Sequence, residues 1–411
     1  MGLARNALET FITRGFVAVM SVLITVLVAR TLGPDGRGIF ATAMAVAAIG
    51  VQLGNVGLSS SNIYYASTNH ALIRHLVGNS LLIGVAGSAL FCFLVWIIFE
   101  FWPDLAPLQG RILWVALIWV PVGIGLLLMQ NLLLGMQQVR VFNVVEMLKQ
   151  GGTLVAIAIS LLLGFGTPFG LFSVSLLILF VIFVATTGYV MRADGNRPMV
   201  SLALAKEHAR YGIKAYFATF FAFLVLRIDL LMVQYISGEE STGFYSVAVA
   251  ITDVLYLAPV ALGTVLFPRL SAMQDEEQRW QIVLRAMRWM VLIMSITSFL
   301  LMLGSGWVLE LLFGEAYLPA MPALLVLLPA VALLGVNTIF MNYFASLGMP
   351  MITVISPAVA ATVNIPANYF LIPVIGIVGA AWASLISYAL MLLMSLGYIR
   401  YLRKNRSSYE F

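Results

Sequence analysis

The chain has 411 residues, of which 62% are hydrophobic and 9% charged, with a formal net charge of +5. These proportions exclude an ordinary soluble domain, where about 25% of residues are charged. A single cysteine, Cys92, excludes an intrachain disulfide and a Cys-rich metal site.

Apolar runs long enough to cross about 30 Å of hydrocarbon recur along the chain and predict about twelve membrane spans. In the first half they fall at 8–31, 38–62, 76–99, 110–134, 142–164 and 170–192. The first is interrupted by Glu9 and Arg14 and no clear cleavage site follows it, so it reads as an anchor rather than a signal peptide. Trp96, Trp102, Trp114 and Trp119 cluster around the outer loop near Asp104, as an aromatic belt does. Between the halves Gly195 and Pro198 break the helix, and Ala203 to Lys214 read as a basic amphipathic helix on the cytoplasmic face. The second half repeats the plan at 211–236, 242–267, 284–307, 319–345, 351–373 and 377–400, then ends in a short basic tail. The expected organisation is a lobe at 1–195, a linker at 196–210 and a second lobe at 211–411.

The basic charge is distributed as a membrane protein requires, not as a nucleic-acid binder does. With the N-terminus in the cytoplasm, sixteen of the 22 Lys and Arg residues fall inside and three, Arg30, Arg37 and Arg111, outside. The excess of inside charge predicts that both termini are cytoplasmic.

The halves echo each other. Sliding the chain by 205 residues puts Gly33, Asp35, Gly38, Phe40, Ala43 and Ala45 on Gly238, Glu240, Gly243, Tyr245, Ala248 and Ala250. Arg5 falls on Arg210 and Phe11 on Tyr216, while Leu134-Gly135-Met136 matches Leu347-Gly348-Met349 at a slightly larger offset. An even number of spans per half makes both copies enter the membrane in the same direction. The expected fold is therefore all-α and membrane-integral, with two six-helix lobes related by a parallel pseudo-two-fold axis along the membrane normal.

Charge inside these spans is the main functional signal. Arg227, Asp229 and Asp253 each lie within an apolar run, where an Arg or Asp facing lipid costs roughly 2.5–3.5 kcal/mol. Arg227 and Asp253 stand about thirteen residues either side of Glu240, at similar depth on neighbouring antiparallel spans. Asp229, two residues from Arg227, points away from it on a helix. The group reads either as a structural ion pair or as a cation facing a cavity, with Asp229 and Asp253 tuning it or coupling to a cation.

Gln52, Asn55, Ser59 and Asn62 recur on one helical face in the second span, as do Pro357, Ala361, Asn364 and Asn368 in the eleventh. Such faces serve close helix packing or a hydrated central cavity. Arg14 either snorkels to the cytoplasmic surface or meets an anionic head group; Lys214 is similarly placed at the mouth of span seven. Glu146 and Lys149, at i and i+3, read as a mutually supporting pair. His70, His75 and His208 share no ligand spacing, and no Walker loop, dinucleotide turn or nucleophile elbow occurs in context. The residues therefore point away from an enzyme, a metal site and a bound cofactor.

The run from Arg227 to Ala248, R-I-D-L-L-M-V-Q-Y-I-S-G-E-E-S-T-G-F-Y-S-V-A, followed by L-F-P-R-L-S, resembles the second lobe of bacterial polysaccharide flippases. V-A-R-T-L-G-P-D-G-R-G-I-F-A-T-A resembles their first hairpin and I-P-V-I-G-I-V-G-A-A-W-A-S-L-I-S their last. The chain is similar over essentially its whole length to the Wzx-type flippases of the multidrug/oligosaccharidyl-lipid/polysaccharide exporter superfamily.

The resemblance implies two six-helix lobes in a V in a bacterial inner membrane, and alternating access. It also implies transfer of an undecaprenyl-diphosphate-linked oligosaccharide to the periplasmic leaflet, with a cationic cavity for the diphosphate. Arg14 and Arg227 are the first candidates for that role and Lys214 and Lys149 the next, with Gln52, Asn55, Asn364 and Asn368 meeting sugar hydroxyls. Membrane lipids, a glycan polymerase and chain-length machinery are the implied partners. A cation-coupled multidrug exporter of the same superfamily and a membrane glycan polymerase or ligase remain as alternatives.

Overall fold

The computed structural model describes residues 2–103, 106–195 and 197–407, with the side chains of 2–8, 208–211, 214–215 and 405–407 outside the description. The helices are α1 (Gly2–Gly54), α2 (Leu58–Thr68), α3 (Ile73–Phe101), α4 (Arg111–Gly135), α5 (Val139–Leu162), α6 (Pro168–Asp194), α7 (Leu202–Ser271), α8 (Glu276–Phe313), α9 (Met321–Ser346), α10 (Ile352–Ile375) and α11 (Ile377–Ser407). Among the described residues, ten stretches are long and apolar enough to cross a membrane. Two of them, Glu9–Gly54 with 46 residues and Tyr216–Ser271 with 56, far exceed the ~20 residues of one crossing.

Each of these two bends at a glycine. Gly33 has φ 67° and ψ −178°, and Gly238 has φ 83° and ψ −173°, a region open essentially to glycine alone. The chain reverses at Gly238, since the Arg227 guanidinium reaches the Asp253 carboxylate at 3.0 Å across 26 residues of the same α7. Counted this way the ten stretches make twelve crossings, and the all-α, twelve-span architecture read from the sequence holds. The two glycines lie 205 residues apart, the offset of the sequence echo. Gly33→Ala and Gly238→Ala are each expected to destabilise the protein by about 1–3 kcal/mol, read as a lower thermal midpoint in detergent.

The chain divides into two compact units, Met1–Phe220 and Phe221–Phe411. In the first, the core gathers around α4, with Ile124, Leu128, Met129, Leu132 and Leu133 fully buried. In the second, α9 takes the equivalent central place, with Ile339, Phe340 and Phe344 buried. Lipid is as apolar as these side chains, so close packing and hydrogen bonds between helices must hold each unit together. The α10–α11 seam illustrates this: Ala360, Ala380, Ala381, Ala383, Ser384 and Ser387 are all 0% exposed.

The second span is not one helix, contrary to the expectation of a continuous run at 38–62. It breaks at Asn55–Gly57, where Val56 takes φ 47° and Gly57 φ 80°. A β-branched residue at positive φ is a genuine outlier, so tertiary contacts must hold the break. The Asn55 side chain caps the new helix, its Oδ1 accepting from the Ser59 N–H at 3.1 Å and the Ser59 hydroxyl at 2.8 Å. The Leu53 carbonyl accepts the Tyr216 hydroxyl at 3.3 Å. A Cβ on Gly57 would come within 2.7 Å of the Gly212 backbone, so the two chains cross with no room for a side chain.

Residues 197–220, read from the sequence as linker and start of the second lobe, pack with the first unit. The Met199 N–H donates to the Arg74 carbonyl at 3.1 Å. The Asn79 carboxamide pairs with the Ser201 backbone twice, at 2.9 and 3.0 Å, and the Tyr65 hydroxyl donates to Glu207 at 3.0 Å. These bonds explain why the compact unit ends inside span seven rather than at 195.

Candidate functional site

The second unit holds a charged group in the middle of its apolar helices. Arg227 precedes Gly238 by eleven residues and Asp253 follows it by fifteen, which places both roughly 16 Å or more along their helices from the turn, about half the hydrocarbon thickness. Their 3.0 Å contact joins Arg227 Nη2 to Asp253 Oδ2, with the two side chains 34% and 43% exposed.

Asp229 has a different environment. It is 3% exposed; its Oδ1 accepts the Leu230 N–H at 2.8 Å, and its Oδ2 accepts the Tyr245 hydroxyl at 2.5 Å and the Ser384 hydroxyl at 3.0 Å. A buried carboxylate is tolerable only when hydrogen-bonded in this way. It thereby fastens spans seven, eight and twelve together. Tyr388 is buried close by, and the Tyr256 hydroxyl pairs with Thr338 at 3.0 Å. Tyr245→Phe removes one donor from a buried charge and is expected to lower stability by about 1.5–3 kcal/mol, measured by thermal unfolding in detergent.

The repeat clarifies what is particular to this unit. Phe40, the counterpart of Tyr245, packs edge-on against Phe172 of α6 with ring centroids 5.8 Å apart, and Phe172 stacks on Trp119 at 5.0 Å. Phe40 meets span six through aromatic rings, whereas Tyr245 meets the carboxylate of span seven, so the repeat does not carry this contact over.

In the first unit Lys149 Nζ lies 2.7 Å from Glu146 Oε1, and the Gln130 amide donates to the same oxygen at 2.5 Å. The lysine charge is thus met on its own helix. The small polar face of span one forms a seam with span five: Asn143 donates to Thr10 at 3.2 Å and Gln150 to Ser21 at 2.5 Å. Arg14 shares that face and is exposed, with no ion-pair partner among the described residues.

The amides fall into two classes. Gln52 is half-buried and donates to Thr219 at 3.5 Å. Asn55 serves as the cap of α2, and Asn62 donates to Ser80 at 2.8 Å, so the predicted stripe is divided by the break. Asn364 and Asn368 are 0% exposed within their unit. Asn364 donates to Ser387 at 3.1 Å and Asn368 to Asn364 at 2.8 Å, both in the tight α10–α11 seam. The Lys214 side chain lies outside the described residues.

An apolar cleft of about 400 Å³ lies between spans eight and nine, lined by Val254, Ala258, Ile293, Thr297 and Leu301 among others. At 100° per residue Val254, Leu255 and Ala258 project from the side of the helix away from Asp253, so this cleft is separate from the charged group. Neither Tyr245 nor Ser384 is marked by the sequence as a site residue; the pairing of Tyr245 with Phe40 in the repeat is the one signal that touches either.

The model of a family described as polysaccharide biosynthesis protein matches residues 27–322. The putative O-antigen transporter of Shigella flexneri is 28% identical over 159 residues, 38% of each chain. The chain spans less than half the length of the curated relatives it matches. A multidrug resistance MATE family transporter of the MOP superfamily, solved in an inward-facing conformation, superimposes with a TM-score of 0.73 at 17% identity, covering 94% of this chain and 96% of that one. The lipid II flippase MurJ, in an inward closed conformation, gives a TM-score of 0.73 at 14% identity, covering 97% and 87%. The match over most of the chain bears out the resemblance to Wzx-type flippases: this membrane protein belongs to the polysaccharide biosynthesis protein family.

Proposed function

We propose that the protein is a flippase that moves an undecaprenyl-diphosphate-linked oligosaccharide from the cytoplasmic to the periplasmic leaflet of a bacterial inner membrane, with both termini cytoplasmic. The observation that carries this reading is Arg227, a part-exposed guanidinium near half depth whose one ion-pair partner among the described residues, Asp253, is itself part-exposed. A diphosphate cannot enter hydrocarbon unaccompanied, and a planar guanidinium matches phosphate oxygens in pairs. Family membership supports the cargo class, and the names of the Shigella relative and of MurJ support transport of a lipid-linked glycan.

In this reading Arg227 holds the anion in the second unit, and Arg14 takes it up from the cytoplasmic side. Gln52 is the candidate for sugar hydroxyls, since it is part-exposed whereas Asn55, Asn364 and Asn368 are buried within their own units. Alternating exposure of the site to the two faces completes the cycle. A glycan polymerase and chain-length machinery would act on the delivered product.

A second reading, cation-coupled drug export, is favoured by the MATE-like fold and the two carboxylates beside Arg227. Reconstitution in liposomes with a fluorescent lipid-linked oligosaccharide in one leaflet separates the two. Protein-dependent protection of the glycan from an external glycosidase is the expected result. Drug accumulation without glycan movement would overturn the flippase reading.

A further inference from the structure

We infer that Asp253 is a displaceable internal counter-ion, which occupies Arg227 when no cargo is present and expels the anion when it returns. This rests on the reading of Arg227 as the anion-holding group. Two carboxylates stand beside one guanidinium, and the structure anchors them differently. Asp229 is 3% exposed with both oxygens hydrogen-bonded. Turning it away would strand the buried Tyr245 and Ser384 hydroxyls, the kind of loss folded proteins avoid.

Among the described residues Asp253 has one hydrogen bond, from Arg227 Nη2, and its side chain is 43% exposed. It leaves no other donor unpaired when it swings aside. An arriving phosphate oxygen replaces the carboxylate oxygen at Nη2, so the guanidinium exchanges one anionic acceptor for another. Asp229 stays in place, an unmoved negative charge two residues along the helix that limits how tightly any second anion is held.

Carboxylate and cargo therefore compete for one cation. Removing the carboxylate charge should tighten anion binding while slowing release, opposite to the effect of removing a residue that merely shapes the site.

The test uses the full-length protein in nanodiscs with inorganic pyrophosphate as probe, read by calorimetry, alongside glycan flipping in liposomes. Asp253→Asn should bind pyrophosphate at least tenfold more tightly than the unaltered protein and flip glycan at least fivefold more slowly at saturating cargo. Asp253→Ser should do the same if the amide perturbs folding, whereas Asp253→Glu, which keeps the charge, should stay within twofold of the unaltered affinity. Unchanged, weaker or undetectable binding by both Asn and Ser variants overturns the inference. If in that case Arg227→Gln still abolishes flipping, the reading of Arg227 stands and only the role of Asp253 fails. If Arg227→Gln binds pyrophosphate and flips glycan normally, the reading of Arg227 itself fails.

Discussion

Arg227→Gln is expected to abolish glycan delivery at undiminished protein levels, measured as glycosidase-protected glycan in liposomes. The glutamine keeps one donor arm but loses the charge and the planar fork. Each hydrogen bond to a charged group is worth about 1.5–3 kcal/mol, so losing two at a phosphate costs roughly 3 kcal/mol or more, about two orders of magnitude in capture. Arg227→Lys keeps the charge without the fork and should fall between. Arg227→Gln also leaves Asp253 unpaired near half depth, which threatens folding. Arg227→Gln combined with Asp253→Asn removes both charges; it should restore thermal stability while delivery stays absent, which separates a transport defect from a folding one.

Gly57→Val should prevent recovery of folded protein. Its φ of 80° disfavours any side chain, by about 1–2 kcal/mol, and a Cβ there meets the Gly212 backbone within 2.7 Å, where overpacking adds about 1–3 kcal/mol. Gly212→Val approaches the same crossing from an ordinary helical position, so it isolates the packing contribution. Fluorescence-detected size exclusion should show a monodisperse peak for the unaltered chain and aggregate for Gly57→Val. A monodisperse Gly57→Val protein with an unchanged melting temperature would mean that the crossing is loose.

How far the residues alone disclosed these features depended on whether the deciding contact was local. The turns at Gly33 and Gly238 were legible because glycine, flanking polar residues and the fixed offset recur in both halves. The Arg227–Asp253 pair was legible because equal distance from one turn puts two residues at one depth. The Asp229 network was not, since Ser384 lies 155 positions away and a serine among alanines carries no distinguishing pattern. The break at Asn55 was also hidden: helical periodicity assumes a continuous helix, and the contacts that accompany the break include distant ones, the crossing with Gly212 and the Tyr216 bond to Leu53. For Asn364 and Asn368 the polar face was visible, but amides look alike in sequence whether they face water or a dry seam. The neighbouring alanines, which let α11 approach, decided the matter.

The anchoring of 197–220 on the first unit bears on how the protein could be divided. A chain cut beside Gly195 would leave its C-terminal fragment carrying a free arm that ends in ready-made contacts: the Met199 amide for the Arg74 carbonyl, Ser201 for Asn79 and Tyr216 for Leu53. Two separately translated fragments would then find each other by threading that arm into its slot, a register-specific recognition that sideways association of smooth helices in lipid cannot supply. Mutating Asn79 should cost the intact polypeptide about 1–3 kcal/mol but leave it assembled, because the tether keeps the arm at hand, yet should abolish complementation between the pieces.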